Sequence, residues 1–163
     1  MAERTQIVIA YDGSSAARAA VREAGLLFAT HLAVILTVWE SGLEEFMLAP
    51  DPSGIGTTML PFDPSAVEAV QHASEDRAGE IVKDGVELAN SVGLDAEGLT
   101  MRDVTDLPSA ISSVAEERKA LVIVVGSHGL RGLKSKLLGS TSTGLLKKTS
   151  RPVLVVPHPE DNH

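Results

Sequence analysis

Two clusters of glycine and hydroxyl residues near the end of the chain have the makings of an anion-binding loop. Gly126-Ser127-His128-Gly129 is followed, ten residues after Gly129, by Gly139-Ser140-Thr141-Ser142-Thr143-Gly144. Holding a phosphate takes several N–H donors converging on one point. Glycine lets the backbone turn tightly and approach the anion with no Cβ in the way. A helix N-terminus adds unpaired N–H groups and a partial positive charge. Gly139 followed by Ser140, Thr141 and Ser142 offers both, with hydroxyl donors besides. The intervening stretch, Leu130–Leu138, carries Arg131, Lys134 and Lys136 and reads as a flap over the phosphates. From Ala120 to Pro159 there is no Asp or Glu, and Lys147, Lys148 and Arg151 add further positive charge, although the whole chain has a net charge of −8. Such a segment attracts a small anion. The competing reading is a solvated basic helix face.

Better-known nucleotide loops do not fit. Gly139-x4-Gly144 has the glycine spacing of a mononucleotide loop, but Leu145-Leu146 stands where Lys-Ser/Thr is required. Gly126-x2-Gly129-x2-Gly132 has the wrong spacing for a dinucleotide fingerprint. Asp12-Gly13-Ser14 closes the first strand, and Asp12 either caps the next helix or faces a ligand. His128 belongs to no nucleophile–base–orienter set and is expected to face solvent. The histidines at 31, 72, 158 and 163 lack metal-ligand spacing. Glu44-Glu45 and Glu116-Glu117 are sequence neighbours and do not share a helix face, which argues against an acid–base pair. Trp39 and Phe46 read as packing residues. No catalytic or metal-binding residues are assigned.

The elements that position these groups alternate. Strands are predicted at Thr5–Ala10, His31–Trp39, Leu99–Val104, Leu121–Val125 and Pro152–Val156 from short apolar, β-branched runs. Helices are predicted at Ala16–Thr30, with Ala17, Ala20, Val21, Ala24, Leu27 and Phe28 at helical spacing, and at Ser65–Ser91, Leu107–Lys119 and Ser140–Thr149. Residues 41–64 hold Pro50, Pro52, Pro61 and Pro64 and read as a long loop. Alternating strands and helices imply right-handed crossovers and a parallel sheet, with ligands taken at the carboxyl ends of the strands where the strand order reverses.

Length and composition bound the answer. A chain of 163 residues, 44% hydrophobic, suits one domain with one core, filled by Val, Ile, Leu and Ala because aromatics make up only 3%. There is no cysteine, which excludes disulfides, thiolate metal sites and a cysteine nucleophile. No apolar run approaches the roughly 18 residues needed to cross a bilayer, and Met1-Ala-Glu-Arg leads straight into a strand with no room for a signal peptide. The expectation is a cytoplasmic protein with no membrane partner. The acidic balance argues against nucleic acid as a partner.

Gly126-x2-Gly129-x9-Gly139-Ser140 resembles the G-x2-G-x9-G-[ST] pattern of the ATP-binding branch of the universal stress protein family. The likeness runs along nearly the whole chain, through Asp12-Gly13-Ser14, VIVVGSHG at 122–129 and RPVLVVP at 151–157. Thr105-Asp106-Leu107-Pro108 stands where that family usually has Gly-Asp-Pro before a helix, and is taken as a variant helix start. The resemblance implies an α/β fold, an open five-stranded parallel sheet in order 3-2-1-4-5 with helices on both faces, in a Rossmann-like three-layer sandwich. It implies that Asp12 contacts the adenosine end, that the backbone of Val38 contacts adenine, and that Gly126, Gly129, Gly139, Ser140, Thr141 and Ser142 hold ribose and phosphates. Ala10, Val125 and Arg131 complete the expected cofactor-binding set. ATP, with or without Mg2+, is the expected ligand, and AMP and cAMP are alternatives. The resemblance also implies a homodimer through the edge strand Pro152–Val156; the other reading is that Pro152 and Pro157 blunt this edge. The implied role is stress-response regulation through nucleotide-dependent shape. The alternatives are slow ATP hydrolysis, self-phosphorylation among Ser140–Thr143, or a nucleotide-independent interaction module.

Overall fold

A computed structural model of the chain describes residues 5–40, 64–102, 105–128 and 138–157. In chain order they form β1 (Gln6–Ala10), α1 (Ser15–Phe28), β2 (Leu32–Trp39), α2 (Pro64–Ser91), β3 (Asp95–Arg102), α3 (Leu107–Glu117), β4 (Ile123–Gly126), α4 (Ser140–Lys148) and β5 (Val153–Val156). All five strands are parallel and lie in the order β3-β2-β1-β4-β5. This is the expected α/β sandwich. The strand order reverses between β1 and β4, so α1 and α2 cover one face and α3 and α4 the other.

Each face has its own core, set by strand alternation. Ile7, Ile9 and Ile35 pack with Ala17, Ala20, Val21 and Ala24 of α1 and Ala89 of α2. Val8, Val34, Leu36, Ile123 and Val125 pack with Ile111 and Val114 of α3 and Leu145 of α4. The central strands are buried on both sides, which explains their unbroken apolar sequences. Leu27, predicted on the inner stripe of α1, is instead 54% exposed, and Leu26 beside it is 81% exposed. The last turn of α1 turns these two leucines outward and keeps Phe28 against the core.

β3 begins at Asp95, four residues before the apolar run at Leu99. It pairs with β2 in unbroken register from Leu32↔Asp95 to Trp39↔Arg102, so the ladder, not hydrophobicity, defines its start. An edge strand tolerates polar residues. Gly98 lies beneath α2, where a Cβ would meet Val82 and Val86 at 3.2 Å.

The chain leaves β1 through a tightly held residue. The Tyr11 amide donates to the Leu36 carbonyl at 2.8 Å, and the Thr37 hydroxyl donates to the Tyr11 carbonyl at 2.9 Å. The Tyr11 ring is 3% exposed and packs where Gly85 of α2 leaves room: a Cβ there would meet the ring at 2.8 Å. Its hydroxyl donates to Asp84, while Arg18 donates to the same hydroxyl at 2.9 Å and to Asp84. Burial, reinforced by the hydrogen bond to Asp84, pushes the Tyr11 phenol up to about 12. The folded chain therefore favours the protonated phenol. That preference stabilises the fold fully below the unfolded value near 10 and is lost as pH rises toward 12. Two units correspond to about 2–3 kcal/mol. Urea midpoints should fall more steeply between pH 9.5 and 11.5 in the native chain than in Tyr11→Phe, and equal slopes would refute the assignment.

Candidate functional site

A cleft opens at the carboxyl ends of β1, β2 and β4, beside the reversal point. One end is apolar. Ala10, Leu36, Val38 and Val125 come from the strands, and Leu107 and Ile111 from the first turns of α3. The polar end carries Asp12, His128 and Thr141; Tyr11, Ala17 and Gly126 complete the lining. A slot that is greasy at one end and hydrogen-bonding at the other fits a ligand with a flat heterocycle and a polar tail.

The turn after β1 separates capping from exposure. Gly13 has φ +79°, a left-handed conformation that favours glycine. Ser14 is the α1 N-cap, its hydroxyl accepting the Ala17 amide at 3.1 Å. Asp12 is not that cap. Its carboxylate accepts the Ser14 amide at 3.0 Å, in a turn that places the residue on the cleft wall.

The glycine-hydroxyl cluster divides by role. Gly139 is the α4 N-cap and provides no side-chain cap to the helix. Its amide donates to the Ser127 carbonyl at 2.8 Å, and the Ser127 amide donates to Val156 at 2.8 Å. Those two amides are paired within the fold. The first helical bond of α4 runs from the Thr143 amide to Gly139 at 3.0 Å, so the amides of Ser140, Thr141 and Ser142 precede the intrahelical ladder. Ser140 is exposed, and Thr141 lines the cleft. Ser142 is 1% exposed and its hydroxyl donates to the Gly126 carbonyl at 3.2 Å, tying α4 to the end of β4. Ala10, Asp12, Val38, Val125, Gly126 and Thr141 thus meet at the cleft, while Gly139, Ser140 and Ser142 flank Thr141 at the start of α4 and do not themselves line it. Gly129 and Arg131 lie outside the described residues, as do Lys134, Lys136 and residues 41–63 of the long loop.

Six lining residues escape the sequence reading, among them Tyr11 and Ala17. Leu36, Leu107 and Ile111 read only as core or helix. His128, expected to face solvent, is half-buried on the cleft wall, with Nδ1 2.9 Å from the Ser127 hydroxyl.

The positive stretch is partly engaged elsewhere. Lys147 and Lys148 occupy the last turn of α4, where cations favour the helix dipole, at the opposite end from Gly139. Lys148 donates to Asp106 at 2.7 Å, and Arg151 donates to Glu116 at 2.9 and 3.0 Å. Asp106 caps α3 through the Ser109 amide at 3.0 Å, with Pro108 in the first turn, which is the variant helix start expected from the sequence. The Lys148 ammonium, then the Ser109 amide and hydroxyl, hold Asp106 below the usual carboxylate range. The Ser150 hydroxyl, then Arg151, do the same for Glu116. Lys148 and Arg151 are therefore engaged by carboxylates at the two ends of α3, Asp106 at its start and Glu116 in its last turn.

Comparison with known proteins gives a consistent assignment. Universal stress protein MJ0577 of Methanocaldococcus jannaschii is 33% identical over 94 residues, which is 56% of this chain and 57% of that protein. Universal stress protein YxiE of Bacillus subtilis is 26% identical over 151 residues, 93% of this chain and 97% of its own length. The solved structure of MJ0577 superposes with a TM-score of 0.71 at 21% identity, covering 94% of this chain and 96% of that one. A universal stress protein in complex with cAMP superposes at 0.63 with 22% identity, covering 95% and 98%. No helix among the described residues is long and apolar enough to cross a membrane. Residues 3–157 match the universal stress protein family, and the chain belongs to it.

Proposed function

We propose that this protein binds an adenine nucleotide, ATP foremost, in the cleft at the β1–β4 reversal and uses its occupancy to regulate a response to stress. The observation that carries this is the cleft itself. Its apolar end, between Val38 and Ile111, suits a purine, and its polar end, at Asp12, His128 and Thr141, suits ribose and phosphate. Asp12 takes the ribose hydroxyls. The amides of the first turn of α4, beside Thr141, face the phosphates, and Gly129 and Arg131 belong to the same proposed set. The neighbour bound to cAMP supports an adenine nucleotide, as do family structures with dAMP and with AMP. Mg2+ would arrive with the phosphates, since among the described residues no group of three His, Cys, Asp or Glu could hold a metal ion.

The cleft and the β5 edge are joined through β4, whose Gly126 pairs with Val156. Val153, Leu154 and Val155 remain only half-buried on that edge. We infer that β5 pairs with its counterpart in a homodimer, so that nucleotide occupancy reaches the surface offered to a downstream protein.

Equilibrium dialysis against labelled ATP tests the proposal, with adenosine, AMP and cAMP as competitors. Saturable binding at or below about millimolar ATP is expected, and no binding at that concentration would end the proposal. Asp12→Ala should weaken adenosine and ATP by a similar factor, about tenfold, because both carry the ribose. An unchanged affinity would remove Asp12 from the site.

A further inference from the structure

The two ends of the cleft belong to different helices, and those helices meet at one joint. Leu107 and Ile111, on the apolar end, are carried by α3; Thr141, on the polar end, is carried by α4. Pro108 lies directly after Leu107 and one turn before Ile111. Gly144 lies one turn after Thr141, about 4.5 Å along the axis. Pro108 sits in the notch that Gly144 leaves open: a Cβ at 144 would come within 2.4 Å of Pro108 Cγ and 3.0 Å of its Cβ. Beside this contact Lys148 reaches from α4 to Asp106 at 2.7 Å and to the Ser109 hydroxyl at 3.1 Å.

We propose that this joint, Pro108 against Gly144 with Lys148 tied to Asp106, sets the span between the apolar and polar ends of the cleft and so determines the preference for phosphorylated nucleosides over adenosine. The proposal rests on the adenine-nucleotide reading above. Gly144 and Pro108 do not line the cleft; they are positioning residues. Their effect follows from rigidity. α4 is anchored to the sheet by the fully buried Leu145 and by the Ser142–Gly126 bond, so a wedge at 144 must tilt one helix against the other. Adenosine engages chiefly the end built by the strands and α3. ATP must engage that end and the start of α4 at once, and only ATP is sensitive to their separation.

Titration calorimetry of the full chain with ATP and with adenosine provides the test. Gly144→Ala should weaken ATP about tenfold or more while changing adenosine less than about threefold. Adding Pro108→Ala to Gly144→Ala removes the obstructing ring carbon and should restore the ratio to within about twofold. A purely structural defect would lower both affinities together and leave their ratio unchanged. Should Gly144→Ala fail to fold, Lys148→Met decides the matter: a fall in the ATP-to-adenosine ratio of about twofold supports the joint, and an unchanged ratio overturns it. If the native chain binds ATP and Gly144→Ala leaves the ratio unchanged, the joint alone is refuted. If the native chain binds neither ligand, the nucleotide reading falls first and this inference with it.

Discussion

Gly126→Ala should destabilise the fold by about 3 kcal/mol or more, toward the upper end of overpacking costs. Gly126 ends β4 against the first turn of α1. A Cβ built there would lie 2.7 Å from the Ala16 carbonyl carbon, 2.8 Å from its oxygen and 2.8 Å from its Cβ. Two of those atoms are backbone, which cannot rotate away as a flexible side chain would. α1 would have to lift from β4, breaking the layer that buries Ala17, Ala20 and Val21. Total stabilities of about 5–15 kcal/mol leave little margin for such a loss. Urea unfolding followed by helical circular dichroism should show a markedly lower midpoint with little change in slope. A midpoint within experimental error of the native chain would show that the close approach is not required. The same geometry makes Gly126 a poor probe of ligand binding. Lost nucleotide affinity in a Gly126 variant would report a displaced α1, whereas Asp12 and Val38 test the cleft directly.

The contrast among the glycines shows what was legible in the sequence. Gly126, Gly139 and Gly144 carry the same letter in one cluster, yet their reasons differ. Gly126 admits a helix, Gly144 admits Pro108, and Gly139, at φ −62°, is in ordinary backbone conformation with its amide on Ser127. Spacing along the chain does not reveal which neighbour a glycine meets across the fold. The order of elements was readable because period-2 and period-3.6 patterns are local. The strand order 3-2-1-4-5 came with the family resemblance, since alternation alone fixes no order. The edge strand β3 was half missed because pairing with β2 extends it through Asp95-Ala-Glu-Gly, which has no apolar pattern. The strand ends pointed to Asp12 and Gly126, the family resemblance added Ala10, Val38 and Val125, and all five line the cleft. Ile111 and Leu107 were hidden because an apolar residue lining a cleft and one filling a core look alike in sequence. The excess of positive charge misled for Lys148 and Arg151, whose carboxylate partners lie 35 or more residues away on α3.

Val38→Asp should weaken adenosine and ATP by about a hundredfold, roughly 3 kcal/mol, with little loss of stability. Val38 pairs with Met101 near the end of β2, half-buried, and lines the apolar end of the cleft on the same strand face as Leu36. In the empty protein a carboxylate at this rim keeps contact with water. A purine entering the slot strips that water away and offers an apolar face in return, so the charge is desolvated without a partner. The replacement also settles which way the ligand lies. If the heterocycle occupies the Val38 end, Val38→Lys must weaken ATP as well, because an ammonium is desolvated there too. If the phosphates occupied that end instead, Val38→Lys would tighten ATP through charge attraction while Val38→Asp weakened it. Calorimetry on the two variants should therefore show losses of the same sign. Opposite signs would reverse the ligand in the cleft and move the phosphate site away from Thr141.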